Sequence, residues 1–344
     1  MNKTLNVVIV CALMTCSFGV TASAQTNPCF HWATGITKPF PAGFSDLNCT
    51  YQLFSFDSYT CAVYTCPPPD ELCNCPHGGA PISLITGNTF IEENDVSIPG
   101  LSNGLKLTRI WNSKWPSTQM ALQNGLFGPN WRSTYEERIF TGSDGYVKYA
   151  RSDGSFWSFG GSVSLYPVAP SNVSATLTAD SGQTLWTLTF QNGEKRTFSY
   201  TSGSLTAIID RNGNTTQLSY DGLNRLVTVA DPGGRHLYFG YASGSSYLVT
   251  SVTSDVGISL SYAYDTQLRL IQVTKPDLAT LSFEYDSNSF ISAVKDSAGK
   301  ILESHTYDAI GRGLTSSRAN GVEAITVSYP DSFVGGTVSY YSVE

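Results

Sequence analysis

Gly100-Leu101-Ser102-Asn103-Gly104 carries the G-x-S-x-G spacing of a hydrolase nucleophile elbow. That chemistry needs a serine on a sharp strand-to-helix turn with a base beside it. Here Leu105 to Trp111 alternate apolar and polar residues as a strand does, so Ser102 reads as a turn residue. The adjacent acids Glu92-Glu93 and Glu136-Glu137 offer carboxylates for glycoside hydrolysis. Neighbours in a strand point to opposite faces, so neither pair spans one substrate. Four histidines, His31, His77, His236 and His305, are the available imidazole bases. No phosphate-binding glycine loop follows a strand. Cys61, Cys66, Cys73, Cys75 and His77 lie close enough in sequence to ligate zinc. Trp111, Trp115, Trp131, Trp157 and Trp186 are candidate sugar-stacking platforms, although core packing is the commoner use of tryptophan in sheets. These groups do not assemble into a catalytic constellation. The sequence reads as non-enzymatic, with no cofactor.

All cysteines after residue 24 fall in one stretch, at Cys29, Cys49, Cys61, Cys66, Cys73 and Cys75. An even count packed this densely predicts a small module held by three disulfides, the zinc set being the alternative. The disulfide reading follows from the leader ahead of it. Lys3 precedes an apolar stretch from Leu5 to Val20, then Ala22-Ser23-Ala24, the pattern of a cleaved secretory signal over residues 1–24. After cleavage no stretch could span a bilayer, and the expected location is secreted, cell-surface or periplasmic. The net charge of −7, with no basic run, supplies no footprint for nucleic acid.

The elements that must position these residues are strands. Only 14% of the chain is charged, against about a quarter in an average soluble protein, while Gly, Tyr and Phe number 31, 19 and 17. That composition favours sheets with tight turns. A period is visible in the second half: Tyr200, Tyr220, Tyr241, Tyr264, Tyr285, Tyr307 and Tyr329 end successive alternating segments about 21 residues apart. Two residues before each stands Phe198, Leu218, Phe239, Tyr262, Phe283, His305 or Val327, all placed on one face. His305 is therefore expected to be a half-buried strand residue, not a base. Four tyrosines precede an aspartate, at Asp221, Asp265, Asp286 and Asp308, whose carboxylates are expected to accept turn amides. Units this short cannot bury a face alone and must stack into a continuous antiparallel sheet.

These Tyr-Asp units, as in Tyr220-Asp221-Gly222-Leu223-Asn224-Arg225-Leu226, resemble the YD repeats of bacterial RHS proteins. The stretch from Pro81 to Phe159 is similar to the DUF6531-type domain that precedes such repeats. It contains Thr86-Gly87-Asn88, Arg109-Ile110-Trp111-Asn112-Ser113, Gly125-Leu126-Phe127-Gly128-Pro129-Asn130-Trp131 and Asp153-Gly154-Ser155-Phe156. The resemblance implies an all-β chain of antiparallel hairpin repeats forming a spiralling sheet, part of a hollow shell that in complete relatives encloses a toxin. About six repeats, and no Asp-Pro-x-Gly-Leu cleavage motif after Tyr329, imply a partial shell.

The organisation expected is a signal peptide (1–24), a cysteine-rich module (25–79), a DUF6531-like β domain (80–160), a linking β segment (161–199) and the repeats (200–344). The function expected is an exported shell or scaffold fragment whose partner is a toxin segment or another RHS chain. The alternative is a surface adhesin binding glycans, and a hydrolase is the remaining reading.

Overall fold

The computed structural model describes residues 29–31, 50–56, 59–65, 77–78, 82–83, 86–114, 124–142, 146–160, 167–169, 173–242, 246–329 and 340–343, with side chains between Ile82 and Tyr329. The leader, Cys49, Cys66, Cys73, Cys75 and Trp115 lie outside the described residues.

The described chain is all-β, and its sheets are antiparallel. Near the N-terminus, Tyr59–Thr65 lies between Cys29–His31 and Thr50–Phe56, with Cys29 opposite Cys61 in register. From residue 82 to 159 two small sheets form one domain. In the first, Leu105–Asn112 is central, flanked by Phe90–Ile98 and Trp131–Ser133. In the second, Arg138–Thr141, Val147–Ala150 and Phe156–Phe159 make a meander. Leu105–Asn112 departs from simple half-burial. Leu105, Leu107, Arg109 and Trp111 fill one face, while Thr108 and Asn112 are also buried on the other. A central strand packed on both sides keeps little solvent contact, and on this one Lys106 is exposed and Ile110 partly so.

The second half is one sixteen-stranded sheet from Ala175–Ala179 to Tyr340–Val343, in which every strand's neighbour in space is its neighbour in sequence. The slot residues Phe198, Leu218, Phe239, Tyr262, Phe283, His305 and Val327 are each at most 5% exposed, so one face of the sheet is inner and dry. Two rows of turns bound it. In one row the Asp210 carbonyl accepts from the Gly213 amide and the Asp210 amide donates to the Asn214 carbonyl, closing a three-residue loop with Gly213 at φ 87. This is the hairpin loop in which a tight turn is followed by one left-handed residue. Leu278 takes that left-handed place in a later repeat, at φ 67 and 80% exposed.

In the other row the pairing slips by a residue at the same point of each repeat: between Ser219 and Tyr220, Gly240 and Tyr241, Ala263 and Tyr264, Glu284 and Tyr285, and Thr306 and Tyr307. A bulge bends its strand and increases local twist. Repeated at one end of alternate strands, it curls the whole sheet in one sense.

Candidate functional site

The curled sheet is filled by the 82–159 domain, and the junction is built from paired rings. Tyr149 meets Phe198 at 5.8 Å, Tyr135 meets Phe239 at 6.3 Å, Phe127 meets Tyr262 at 4.8 Å, Trp131 meets Phe283 at 5.2 Å and Trp111 meets Tyr307 at 6.2 Å. Such ring pairs add about 0.5–1.5 kcal/mol each beyond the area they bury. Backbone bonds stitch the same seam: the Val249 amide donates to Leu126, Ile139 to Gly203 and Gly313 to Gly87.

At its centre sits Arg109, with no solvent exposure. Its Nε and Nη2 donate to the two carboxylate oxygens of Asp95, the latter at 2.9 Å, and the guanidinium lies 4.7 Å over Trp131 and 5.5 Å from Phe127 and Tyr262. The Tyr262 hydroxyl donates to Asp95 at 2.8 Å, so one carboxylate ties a domain arginine to a repeat tyrosine. Burial opposes the charge on Arg109, and Asp95 more than offsets it, holding the guanidinium above its usual value. Burial, with Asp95 adding to it, raises the Tyr262 phenol well above its usual range. Arg109 is legible in sequence as a residue sharing a strand face with Leu105, Leu107 and Trp111. That alternation is the signal, and the charge conceals it.

The adjacent glutamates diverge. Glu136 accepts the Leu126 amide at 2.6 Å, while Glu137 accepts the Tyr149 hydroxyl at 2.8 Å and lies 3.4 Å from Arg196. Burial pushes both carboxyls up, with Arg132 and Arg196 respectively pulling them back. Glu92 is exposed and Glu93 half-buried, so neither acid pair faces a common substrate. Ser102 is buried in a single 3-10 turn at φ 54, and a strand follows it. Trp111, Trp131 and Trp186 belong to the core, and Trp157 packs edge-on against Tyr149 and Phe190. His236 Nδ1 lies 2.9 Å from exposed Asp255, whereas His305 is buried on the inner face. Among the described residues no cluster of three or more His, Cys, Asp or Glu side chains is arranged to hold a metal.

The repeat residues form a ladder. The hydroxyls of Tyr220, Tyr241, Tyr264, Tyr285, Tyr307 and Tyr329 donate to the carbonyls of Leu205, Leu226, Val249, Leu270, Ile291 and Gly313 at 2.6–2.7 Å. Each tyrosine thereby clamps the preceding repeat. Tyr200 instead stacks on Trp186 at 5.1 Å. Asp221, Asp265 and Asp308 each accept two turn amides and the guanidinium four residues on, which in turn lies over the next available ring: Arg225 over Tyr241, Arg269 over Tyr285 and Arg312 over Tyr329, at 4.2–4.7 Å. Asp286 keeps the two amide bonds, but Phe290 replaces the arginine and packs on Tyr307 at 5.0 Å. Arg225 and the turn amides hold Asp221 below the usual carboxylate range. Beside this row, Ser113, Asn130, Gln267, Arg269, Asn288 and Phe290 line an open cleft of about 410 Å³.

Known proteins resemble this chain over part of their length. The tRNA nuclease WapA of Bacillus subtilis (strain 168) is 30% identical over 259 residues, 69% of this chain and 11% of that protein. The tRNA(Glu)-specific nuclease WapA of Bacillus subtilis subsp. natto is 29% identical over the same length and shares. The chain thus spans about a tenth of the length of the curated relatives it matches. Among solved structures, the Photorhabdus luminescens Tc holotoxin pore is 12% identical with a TM-score of 0.32, covering 56% of this chain and 12% of that one. The TcdB2–TccC3 crystal structure is 14% identical with a TM-score of 0.29, covering 75% and 15%. Residues 79–159 match the model of the domain of unknown function DUF6531, and residues 201–236 match that of the RHS Repeat. The chain thus carries a DUF6531 domain ahead of an RHS repeat, the two signatures following one another in sequence.

Proposed function

We propose that the chain is an exported, non-catalytic piece of a toxin-related RHS shell, in which the DUF6531 domain fills and stiffens one stretch of the curled wall. The observation that carries this reading is the succession of ring pairs along the inner face, from Tyr149 and Phe198 to Trp111 and Tyr307. Side chains packed to that extent suit a wall held in one shape. The partners that suit such a piece are further RHS strands or a toxin segment, and export follows from the leader-like residues 1–24. Among the described residues no helix is long and apolar enough to cross a membrane. A surface-glycan role finds no support in the buried Trp111, Trp131 and Trp186.

The test combines two measurements on the purified chain. Limited proteolysis should leave residues 82–329 as one resistant block, domain and repeats together. Incubation with tRNA, the substrate class named for the relatives, should leave it uncut. Early separation of the domain from the repeats would overturn the wall-and-filling reading. Cleavage of tRNA that co-purifies with the intact chain would overturn the non-catalytic one.

A further inference from the structure

Four loops open with a tyrosine-aspartate pair, and the second residue after the aspartate holds the same place in each. In the first and last loops it is apolar, Leu223 and Ile310, 44% and 64% exposed. In the middle two it is a carboxamide, Gln267 and Asn288, also exposed. Those two loops are the ones that border the open cleft of about 410 Å³. Their backbone amides donate to Asp265 and Asp286 within the turns, and among the described residues neither carboxamide has a hydrogen-bond partner.

The DUF6531 domain supplies another wall, with Pro129 and Asn130. The Asn130 backbone is left-handed, at φ 65, and its Nδ2 donates to the Asn112 carbonyl at 2.9 Å, which leaves its Oδ1 as an acceptor. The walls are held in place. Gly128 packs so near the Leu268 carbonyl oxygen that a Cβ would lie 2.7 Å from it, and Ser113 Oγ donates to the Gly311 carbonyl at 2.7 Å. The opening is thus built into the junction, and its volume falls among those of ligand clefts, about 300–1,000 Å³. Arg269 is the one cation among its lining residues and is paired with Asp265 at 2.7 Å, so the cleft does not select an anion. Phe290 stands where the sibling loops have Arg225, Arg269 and Arg312. The two bordering rings each have one face engaged, Tyr285 by Arg269 at 4.6 Å and Phe290 by Tyr307 at 5.0 Å, which disfavours a stacked sugar. A carboxamide offers a donor and an acceptor side by side, the same pair that a peptide unit presents.

We propose that this cleft binds an extended polypeptide segment, whose backbone amides pair with the carboxamides of Gln267 and Asn288 while its side chains pack on Pro129 and Phe290. Main-chain bonds of this kind give affinity, and the side-chain contacts give the choice of sequence. The proposal rests on the reading of the chain as part of a toxin-related wall and names the class of guest that the wall holds along one row of its turns.

The test selects random short peptides, displayed on phage, on the full chain and titrates the recovered peptides by calorimetry. Gln267→Leu and Asn288→Ile copy the sibling residues Leu223 and Ile310 at exposed positions, so the double variant should fold. It should bind the selected peptides at least ~tenfold more weakly, the effect of losing two hydrogen-bonding side chains. Leu223→Gln, in a loop that does not line the cleft, should leave their affinity unchanged. Recovery of no binding peptide, equal affinity for the double variant, or binding of maltohexaose or chitohexaose that the double variant abolishes would each overturn the polypeptide site. Any of these, with residues 82–329 still surviving as one protease-resistant block, refutes the cleft alone and leaves the wall-and-filling reading in place.

Discussion

Asp95→Asn isolates the charge at the centre of the junction. The side chains of Arg109 and Asp95 are 0% and 1% exposed, so the substitution leaves a guanidinium buried among Trp131, Phe127 and Tyr262 without its counter-charge. Breaking a buried pair from one side typically costs about 3–5 kcal/mol. Asparagine keeps an oxygen for one donor, which places the cost near the lower end, about 3 kcal/mol, or roughly two orders of magnitude in the unfolding equilibrium. Removing all the polar groups together is a different matter. Arg109→Met, Asp95→Leu and Tyr262→Phe combined would fill the same space with apolar side chains, matching the slot residues Phe239 and Phe283, and should stay within about 1.5 kcal/mol of the natural chain. Urea unfolding followed by tryptophan fluorescence reads both, because Trp131 stacks on the arginine itself. A cost for Asp95→Asn below about 1 kcal/mol would refute a buried ionic link at this position.

Tyr285→Phe deletes one rung of the ladder, the 2.7 Å bond to Leu270, and should cost about 1 kcal/mol by thermal unfolding, whereas Tyr200→Phe, whose ring is held by stacking, should cost little. Leu278→Gly relieves a left-handed leucine that buries almost nothing and should stabilise by about 0.5 kcal/mol in chemical denaturation once glycine's greater entropy loss is subtracted. Gly128→Ala should destabilise by at least about 2 kcal/mol, since φ is +96 and the new Cβ would lie 2.7 Å from the Leu268 carbonyl oxygen. Stability against pH should peak on the acid side of neutrality. The turn aspartates, held low, lose their contribution as pH falls below the ordinary 3.8, and Glu93, Glu136 and Glu137, held high by burial, lose theirs as pH rises above the ordinary 4.5. A maximum at pH 8 in a melting series would contradict those assignments.

Much of this arrangement is legible in the order of the residues. The tyrosine period and the slot two residues earlier mark the strands and the dry face, because both depend only on the two-residue alternation of a strand. Bulges are hidden, since a one-residue slip leaves no mark in composition. The ring pairs are also hidden: Trp111, Trp131 and Tyr135 look the same whether they stack on a sugar or on Tyr307, Phe283 and Phe239, and only the curl of the sheet decides. Alternation does separate Glu136 and Glu137 onto different partners, yet the burial of both is invisible in a polar pair ahead of a strand.

The order of the ring pairs has a consequence for how the chain assembles. Along the repeats the partners run forward from Phe198 to Tyr307, while the farthest ends of the seam join residues 198 apart, as between Ser113 and the Gly311 carbonyl. Pairing within the sheet is wholly local and forms quickly, whereas the contacts at the Trp111–Tyr307 end close a far longer loop than those near Tyr149 and Phe198. A chain emerging from its N-terminus therefore presents the domain first as a template. Successive hairpins are laid down on it, and the Trp111–Tyr307 end is the last to be sealed. Slow folding phases should trace to that final closure, and an interrupted chain should already hold the Tyr149 end in its finished form.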